Sequence, residues 1–321
     1  MNGEPKFVTL VSGDSPCRAM DGLADGFMRW LGKERVRLHL LLSFSADIPE
    51  FSPFKPVYEW ARTGQVTWKV DETELLIISM RSFEKVKEWI DQQKFHCMVA
   101  TLDVRDKPPD ETLSLAPPVS PVQVSFKREM TYTSQSPTVY TCPVGIVPEV
   151  LPPLKPYAER SISVSCMVGE SNMTRRAMVD VVKTIPGARA SLERIDRQEY
   201  LKILMDSKIG VACYGGGFDS ARYWEIPYCG ALLVAQPMPL LIPRNFQAGK
   251  HALFYMSPIE LLSVIKWALE HPIESEKMAR EGTHHLMTNH LTIHRAQYLV
   301  SIMRAKAQET VAQETLKNFP Y

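Results

Sequence analysis

A chain of 321 residues is long enough for two domains of about 150 residues, each with its own core. Its 37 Lys and Arg stand against 36 Asp and Glu, a formal net charge of +1, so no broad electrostatic footprint for a polyanion exists and nucleic-acid binding would need a local patch. Hydrophobic content of 45% suits an ordinary soluble globular protein. The six cysteines (Cys17, Cys97, Cys142, Cys166, Cys213 and Cys229) form no CxxC pair, and several fall in apolar runs where a free thiol behaves as a small core residue, which implies a reduced, cytoplasmic setting. No stretch approaches the ~18 apolar residues of a transmembrane helix. The apolar run in MNGEPKFVTLVSGDS is too short for a signal peptide and reads as a first strand.

In chain order, a strand over Phe7 to Val11 is followed by Ser12, Gly13 and Asp14, an amphipathic run from Ala19 to Leu31, and an apolar strand from Val36 to Leu42. Leu75 to Ser79, a helix over Ser82 to Gln92 and Cys97 to Leu102 repeat the pattern, and Asp103 closes a strand. Continuous apolar strands of this kind suit a parallel sheet covered on both faces. Eleven prolines between Pro108 and Pro156 disfavour helices, although Val122 to Phe126 still reads as a strand. The interdomain linker falls near the end of this stretch, giving an N-terminal domain over 1–152 and a C-terminal domain over 153–289.

The second series starts with the strand ISVSCMVG, which ends at Gly169 and leads into a helix from Asn172 to Lys183 capped by Ser171 or Asn172. A helix over Arg197 to Asp206, a strand from Ile209 to Cys213, a glycine loop with a short helix, and strands at Ala231 to Ala235 and Leu253 to Tyr255 follow. Ser257-Pro258-Ile259-Glu260 is a capping box opening a helix to about Glu270. A helix over Glu274 to Met287 comes next. From about His290 one long helix, with Ala296, Leu299, Met303, Ala307 and Val311 on one face, is expected to pack back across the domains.

Residues 208–235, KIGVACYGGGFDSARYWEIPYCGALLVA, are the most informative. Tyr214 and three glycines (Gly215, Gly216 and Gly217) follow the strand, where missing Cβ atoms let backbone amides approach a ligand. Asp219 or Ser220 caps the next helix, and Arg222 and Glu225 project toward one face of it. Taken alone, such a pair is also what a solvated surface ion pair looks like. A second phosphate element is available where Gly169 meets a helix N-terminus carrying Ser171, Asn172, Thr174, Arg175 and Arg176. His290 and His294 have the i,i+4 spacing of a helix-borne metal pair, but no HExxH pattern or cysteine pair accompanies them, so they read as surface or interdomain residues and no metal site is expected.

From Tyr200 to Leu299, YLKILMDSKIGVACYGGGFDSARYWEIPYCGALLVAQ, then LIPRNF, SPIELLSVIKWALEHP and HLTIHRAQYLV, resembles the C-terminal half of GT-B glycosyltransferases, in particular the spore-maturation CgeB/YkvP-like group, and more distantly the exostosin-like transferases. The resemblance implies two Rossmann-like doubly wound α/β domains facing a central cleft. It also implies metal-independent hexosyl or pentosyl transfer from a UDP- or GDP-sugar to an unidentified hydroxyl acceptor, with no cofactor beyond the nucleotide-sugar co-substrate. Glu225 would accept from the ribose hydroxyls, Arg222 would meet the pyrophosphate and its departing charge, and Gly169, Arg175, Tyr214, Gly215, Gly216, Gly217 and Asp219 would complete the donor site. Retaining families carry an acidic residue eight positions before the ribose glutamate; Gly217 stands there, which departs from that pattern. An inverting base would come from the N-terminal domain, where Asp14 and then Asp103 are the candidates, and Lys127 and Arg128 could face the acceptor or phosphates. The alternatives are a transferase acting on modified nucleic acid bases and a non-catalytic GT-B-like coat or assembly protein.

Overall fold

The computed structural model describes residues 4–12, 18–40, 72–80, 97–104, 123–133 and 139–318. The chain forms two compact units, Met1–Val147 with Thr292–Tyr321, and Pro148–Leu291. Each is an α/β unit built on a parallel sheet with a strand-order reversal, the Rossmann-like arrangement that the repeated strand and helix pattern implies.

In the first unit, β1 (Val8–Ser12), β2 (Val36–Leu40), β3 (Leu75–Ser79), β4 (Met98–Asp103), β5 (Gln123–Lys127) and β6 (Val139–Thr141) lie in the order β2-β1-β3-β4-β5-β6, all parallel. β3 and β4 are buried along their whole length, as their largely apolar sequences favour. Helix α1 (Arg18–Leu31) turns Met20, Leu23, Ala24, Phe27 and Leu31 toward Leu10, Ile77, Leu102 and Phe126. The expected helix over Ser82 to Gln92 lies outside the described residues.

The second unit runs β7 (Ile162–Met167), α2 (Met173–Lys183), β8 (Arg189–Ser191), α3 (Arg197–Met205), β9 (Ser207–Ala212), α4 (Ala221–Tyr228), β10 (Leu232–Ala235), β11 (Ala252–Phe254), α5 (Pro258–Glu270) and α6 (Pro272–Asn289). Its parallel sheet has the order β11-β10-β9-β7-β8. Val164, Cys166, Ile209, Val211, Leu232 and Val234 form the sheet side of a core closed by Met178, Val179 and Val182 of α2 and Leu261 and Ile265 of α5. Two glycines fix the seat of α4. A Cβ on Gly210 of β9 would stand 2.6 Å from the Ile226 side chain, so helix and strand pack at a distance only glycine permits. At the other end the helix stops in a Schellman motif, with Gly230 at φ 75°, its N–H on the Pro227 carbonyl at 3.0 Å and the Ala231 N–H on the Ile226 carbonyl at 3.2 Å. The capping box before α5 forms in modified form: Ser257 Oγ accepts from the Glu260 N–H at 3.2 Å, while the Glu260 carboxylate takes the Met256 N–H at 2.7 Å.

After α6 the chain re-enters the first unit as α7 (Thr292–Asn318), which adds Ala296, Leu299, Val300 and Met303 to that core. Helices α1 and α7 touch closely, since a Cβ on Gly26 would lie 2.2 Å from the Thr292 carbonyl oxygen. Thr292 Oγ1 also donates to Asp25 at 2.6 Å.

Candidate functional site

From β7 the chain moves outward to β8, whereas from β9 it moves the other way to β10, so the loops leaving the adjacent carboxyl ends of β7 and β9 part from each other. Such a reversal opens a crevice where α/β sheets bind ligands. Gly169 lies on one side of it and Tyr214 to Gly217 on the other.

Two arginines lace the crevice. Arg175, in the first turn of α2 and 8% exposed, donates from Nε to the Tyr214 carbonyl at 2.8 Å and from Nη1 to the Gly169 carbonyl at 2.7 Å, tying the β9 loop to the β7 loop. Asn172 reinforces the tie: as N-cap its Oδ1 accepts the Arg175 N–H at 2.9 Å, and its Nδ2 donates to the Gly215 carbonyl at 3.1 Å. Arg222, in the first turn of α4, reaches back the other way, donating from Nε to the Met167 carbonyl at 2.6 Å with its guanidinium 5.8 Å from the centre of the Tyr200 ring. Among the described residues its terminal nitrogens have no hydrogen-bond partner. Burial first, and then the Arg222 charge, draw the Arg175 pKa below its ordinary value. The neighbouring thiols of Cys166 and Cys213 are pushed up by burial and supply no counter-charge. The crevice is thus cationic, with one fixed guanidinium and one whose outer edge is available.

The glycines differ in role. A Cβ on Gly215 would lie 2.5 Å from Arg175 Nη2, so that position is glycine because the guanidinium crosses it. At Gly216 a Cβ would meet nothing within 4 Å, which leaves its backbone open to a ligand. Gly169 has only ordinary contact at 3.6 Å, with the stem of Arg194. Tyr214 is anchored through its N–H to Gln236 Oε1 at 2.9 Å and its hydroxyl to the Pro237 carbonyl, and it meets Phe218 edge-on. Asp219 Oδ1 accepts from Trp224 Nε1 at 2.9 Å, and Ser220 is the N-cap of α4 without a side-chain bond.

Glu225 is 5% exposed, and its Oε1 accepts from Arg197 Nη1 at 2.8 Å; Arg197 in turn grips Glu149 through Nε and Nη2. Burial opposes the Arg197 charge, yet the bonds and charges of Glu149 and Glu225 outweigh it and hold its pKa above the guanidinium norm. Tyr200, beside them, has its hydroxyl pushed well up by burial and then by the Glu225 charge. Nothing local in the sequence points to Arg197 or Glu149, because Arg197 and the two carboxylates it holds, Glu149 and Glu225, come from separate segments. Arg194, exposed beside Gly169, went unseen for the same reason: a three-residue strand before it gives no periodicity.

In the first unit Asp14 lies outside the described residues. Asp103 and Lys127 are register partners at the ends of β4 and β5 and form an ion pair at 3.0 Å, with side chains 4% and 1% exposed, so Lys127 is a buried partner rather than a solvated cation. Arg128 pairs with Glu129 at 3.1 Å. His290 is the C-cap of α6 and His294 belongs to α7, so no single helix carries both, and of the two places expected for His290, surface or interdomain, its full burial excludes the surface. Its Nε2 and that of His285 meet the Arg244 carbonyl at 2.9 and 2.6 Å, and His251 stacks on His285 at 4.1 Å. Among the described residues no group of three His, Cys, Asp or Glu side chains is placed to hold a metal, and no helix is long and apolar enough to cross a membrane.

Residues 173–301, which carry both crevice arginines and Glu225, match the family described as glycosyl transferase-like. HepE of Anabaena, solved with UDP and glucose, superposes at a TM-score of 0.62 with 10% identity, over 94% of this chain and 100% of that one. The fold is GT-B. Other GT-B structures agree: an alpha-glucosyltransferase in complex with UDP-glucose and DNA containing an abasic site (TM-score 0.59, 12% identity, 93% and 98% coverage) and the sucrose-phosphate synthase of Thermosynechococcus elongatus (0.56, 12%, 94% and 98%). Comparison with curated proteins returns no match. The shared property at such identities is the GT-B architecture of two parallel-sheet Rossmann-like domains.

Proposed function

We propose that this GT-B chain is a glycosyltransferase, CgeB/YkvP-like in its sequence pattern, that moves a sugar from a UDP-sugar to a hydroxyl acceptor without a bound metal ion. The observation that carries it is the pair Arg175 and Arg222 across the β7 and β9 loops, a two-cation crevice that no carboxylate among the described residues answers with a hydrogen bond or ion pair. A diphosphate supplies that counter-charge. Arg175 acts as the fixed charge, and the outer edge of the Arg222 guanidinium meets the phosphate oxygens on which negative charge grows as the sugar leaves. Glu225 accepts from the ribose hydroxyls, and the open backbone at Gly216 admits the phosphates or sugar. Asp103 is committed to Lys127, which makes Asp14 the base in this scheme. The UDP assignment draws support from the UDP and UDP-glucose complexes of GT-B relatives.

Binding to the native state raises the melting temperature by mass action. A thermal-shift panel of UDP, GDP and their sugar conjugates, with and without chelator, should show a chelator-insensitive response to UDP ligands. Arg222→Ala should weaken that response by about ten- to a hundredfold in affinity, the value of a charge-assisted hydrogen bond of roughly 1.5–3 kcal/mol. No stabilisation by any nucleotide would favour a non-catalytic assembly role.

A further inference from the structure

Resting on the donor reading above, we infer that the sugar this chain transfers is an uncharged hexose, held through its C–H face by the rings of Tyr214 and Phe218 at the two ends of the glycine loop. Position comes first. Both arginines bond into the crevice between β7 and β9, to the Tyr214, Gly169 and Met167 carbonyls, whereas the Tyr214 side chain turns the other way, its hydroxyl donating to the Pro237 carbonyl just beyond β10. The loop therefore has a cationic flank that draws the diphosphate and an aromatic flank for what the diphosphate carries. Between them stands Gly216, where a Cβ would meet nothing within 4 Å. Tyr214 and Phe218 are each two residues from Gly216, which keeps their Cα atoms within about 7 Å of it and in reach of a sugar seated there.

The chemistry of the aromatic flank sets the class of sugar. The two rings meet edge-on, with centroids 5.0 Å apart and an interplanar angle of 86°, and both are half-buried. That is a favoured aromatic geometry, and it fixes both rings at once. Residues 214–218, Tyr-Gly-Gly-Gly-Phe, bring a single polar side-chain group, the Tyr214 hydroxyl, and the Pro237 carbonyl takes its proton. Burial pushes the Tyr214 phenol up, so it stays neutral. Asp219, the next residue, turns its Oδ1 to Trp224 Nε1 on α4. A sugar on this flank meets apolar rings with its C–H groups and keeps its hydroxyls for the open Gly216 backbone and for water. A carboxylate on the sugar would be desolvated against the rings without a side chain to answer it, at a cost that an uncharged hexose does not bear.

Calorimetric titration of the full chain with UDP, UDP-glucose, UDP-galactose, UDP-N-acetylglucosamine and UDP-glucuronic acid tests this. At least one of the uncharged sugar conjugates should bind about tenfold or more tightly than UDP-glucuronic acid. Phe218→Ala should weaken that conjugate by about three- to tenfold while leaving UDP itself, held by Arg175 and Arg222, within about twofold. Phe218→Tyr keeps the ring and should keep the wild-type affinity for both. Tyr214→Leu, at the other end of the loop, should repeat the selective loss and guards against a folding defect in the first variant. Binding of UDP-glucuronic acid as tight as that of every uncharged conjugate overturns the aromatic flank. So does an undiminished affinity in both ring-deleted variants, an equal loss on UDP and on the conjugate, or a loss in Phe218→Tyr as large as in Phe218→Ala. No binding of UDP by the wild type overturns instead the donor reading on which the inference rests.

Discussion

Adjacent glycines in the crevice loop should respond to alanine in opposite ways. Neither Gly215 nor Gly216 has a left-handed backbone, so alanine strains neither, and each substitution gains roughly 0.4–1 kcal/mol by restricting the unfolded chain. At Gly215 the new methyl group would lie 2.5 Å from Arg175 Nη2 and 3.2 Å from its Cζ, so the guanidinium must retreat by about an ångström. That shift breaks bonds now 2.8 and 2.7 Å long to the Tyr214 and Gly169 carbonyls. Each charge-assisted bond contributes roughly 1.5–3 kcal/mol, so with one re-formed and the entropy gain subtracted, Gly215→Ala should cost about 1–2.5 kcal/mol. For a unit of this size the melting temperature falls by about 2–10 °C. Gly216→Ala meets nothing and should leave the melting temperature unchanged or raise it by about 1–3 °C, while its methyl group weakens nucleotide binding. Circular-dichroism melts of the ligand-free variants decide the matter; equal shifts in the same direction would refute the claim that Arg175 crosses Gly215.

Two further outcomes follow from buried charge. Burial, then the charges of His285 and Lys250, draw the His251 pKa down to about 4, so it is neutral in the folded state. The unfolded imidazole takes up its proton near pH 6.5, so stability is intact above that value and declines as pH falls toward 4; His251→Gln should show a shallower decline in melting temperature across that window. Lys127→Met removes the ammonium that faces the buried Asp103 carboxylate and should cost about 3–5 kcal/mol by urea unfolding, while adding Asp103→Leu should recover part of that loss.

The sheets were legible because their strands are apolar runs bounded by turn residues, and the crevice loop because three glycines after a strand have few other uses. β6 and β8 were not, since three residues each carry no period and β8 is half-exposed. Glu225 shows the same limit in the site. Sequence marks it through its spacing from Arg222, yet its partner Arg197 is 28 residues away, Arg197's other carboxylate, Glu149, lies 48 residues before Arg197, and only folding reveals that the surface pair with Arg222 does not form. The i,i+4 spacing of His290 and His294 is not a helical one, because it crosses Leu291, where one helix has ended and the next has not begun. The burial of Lys127 is not legible in the sequence because its partner Asp103 comes from the neighbouring strand.

The return of α7 to the first unit has a consequence for the order of events at the ribosome. The second unit is one continuous segment and can complete its core as soon as Leu291 has emerged. The first unit, begun earlier, cannot: Ala296, Leu299, Val300 and Met303 fill the face of its sheet against α1, and Gly26 awaits the Thr292 carbonyl. The half synthesised first is therefore the half finished last, and its apolar face stays open while its partner folds.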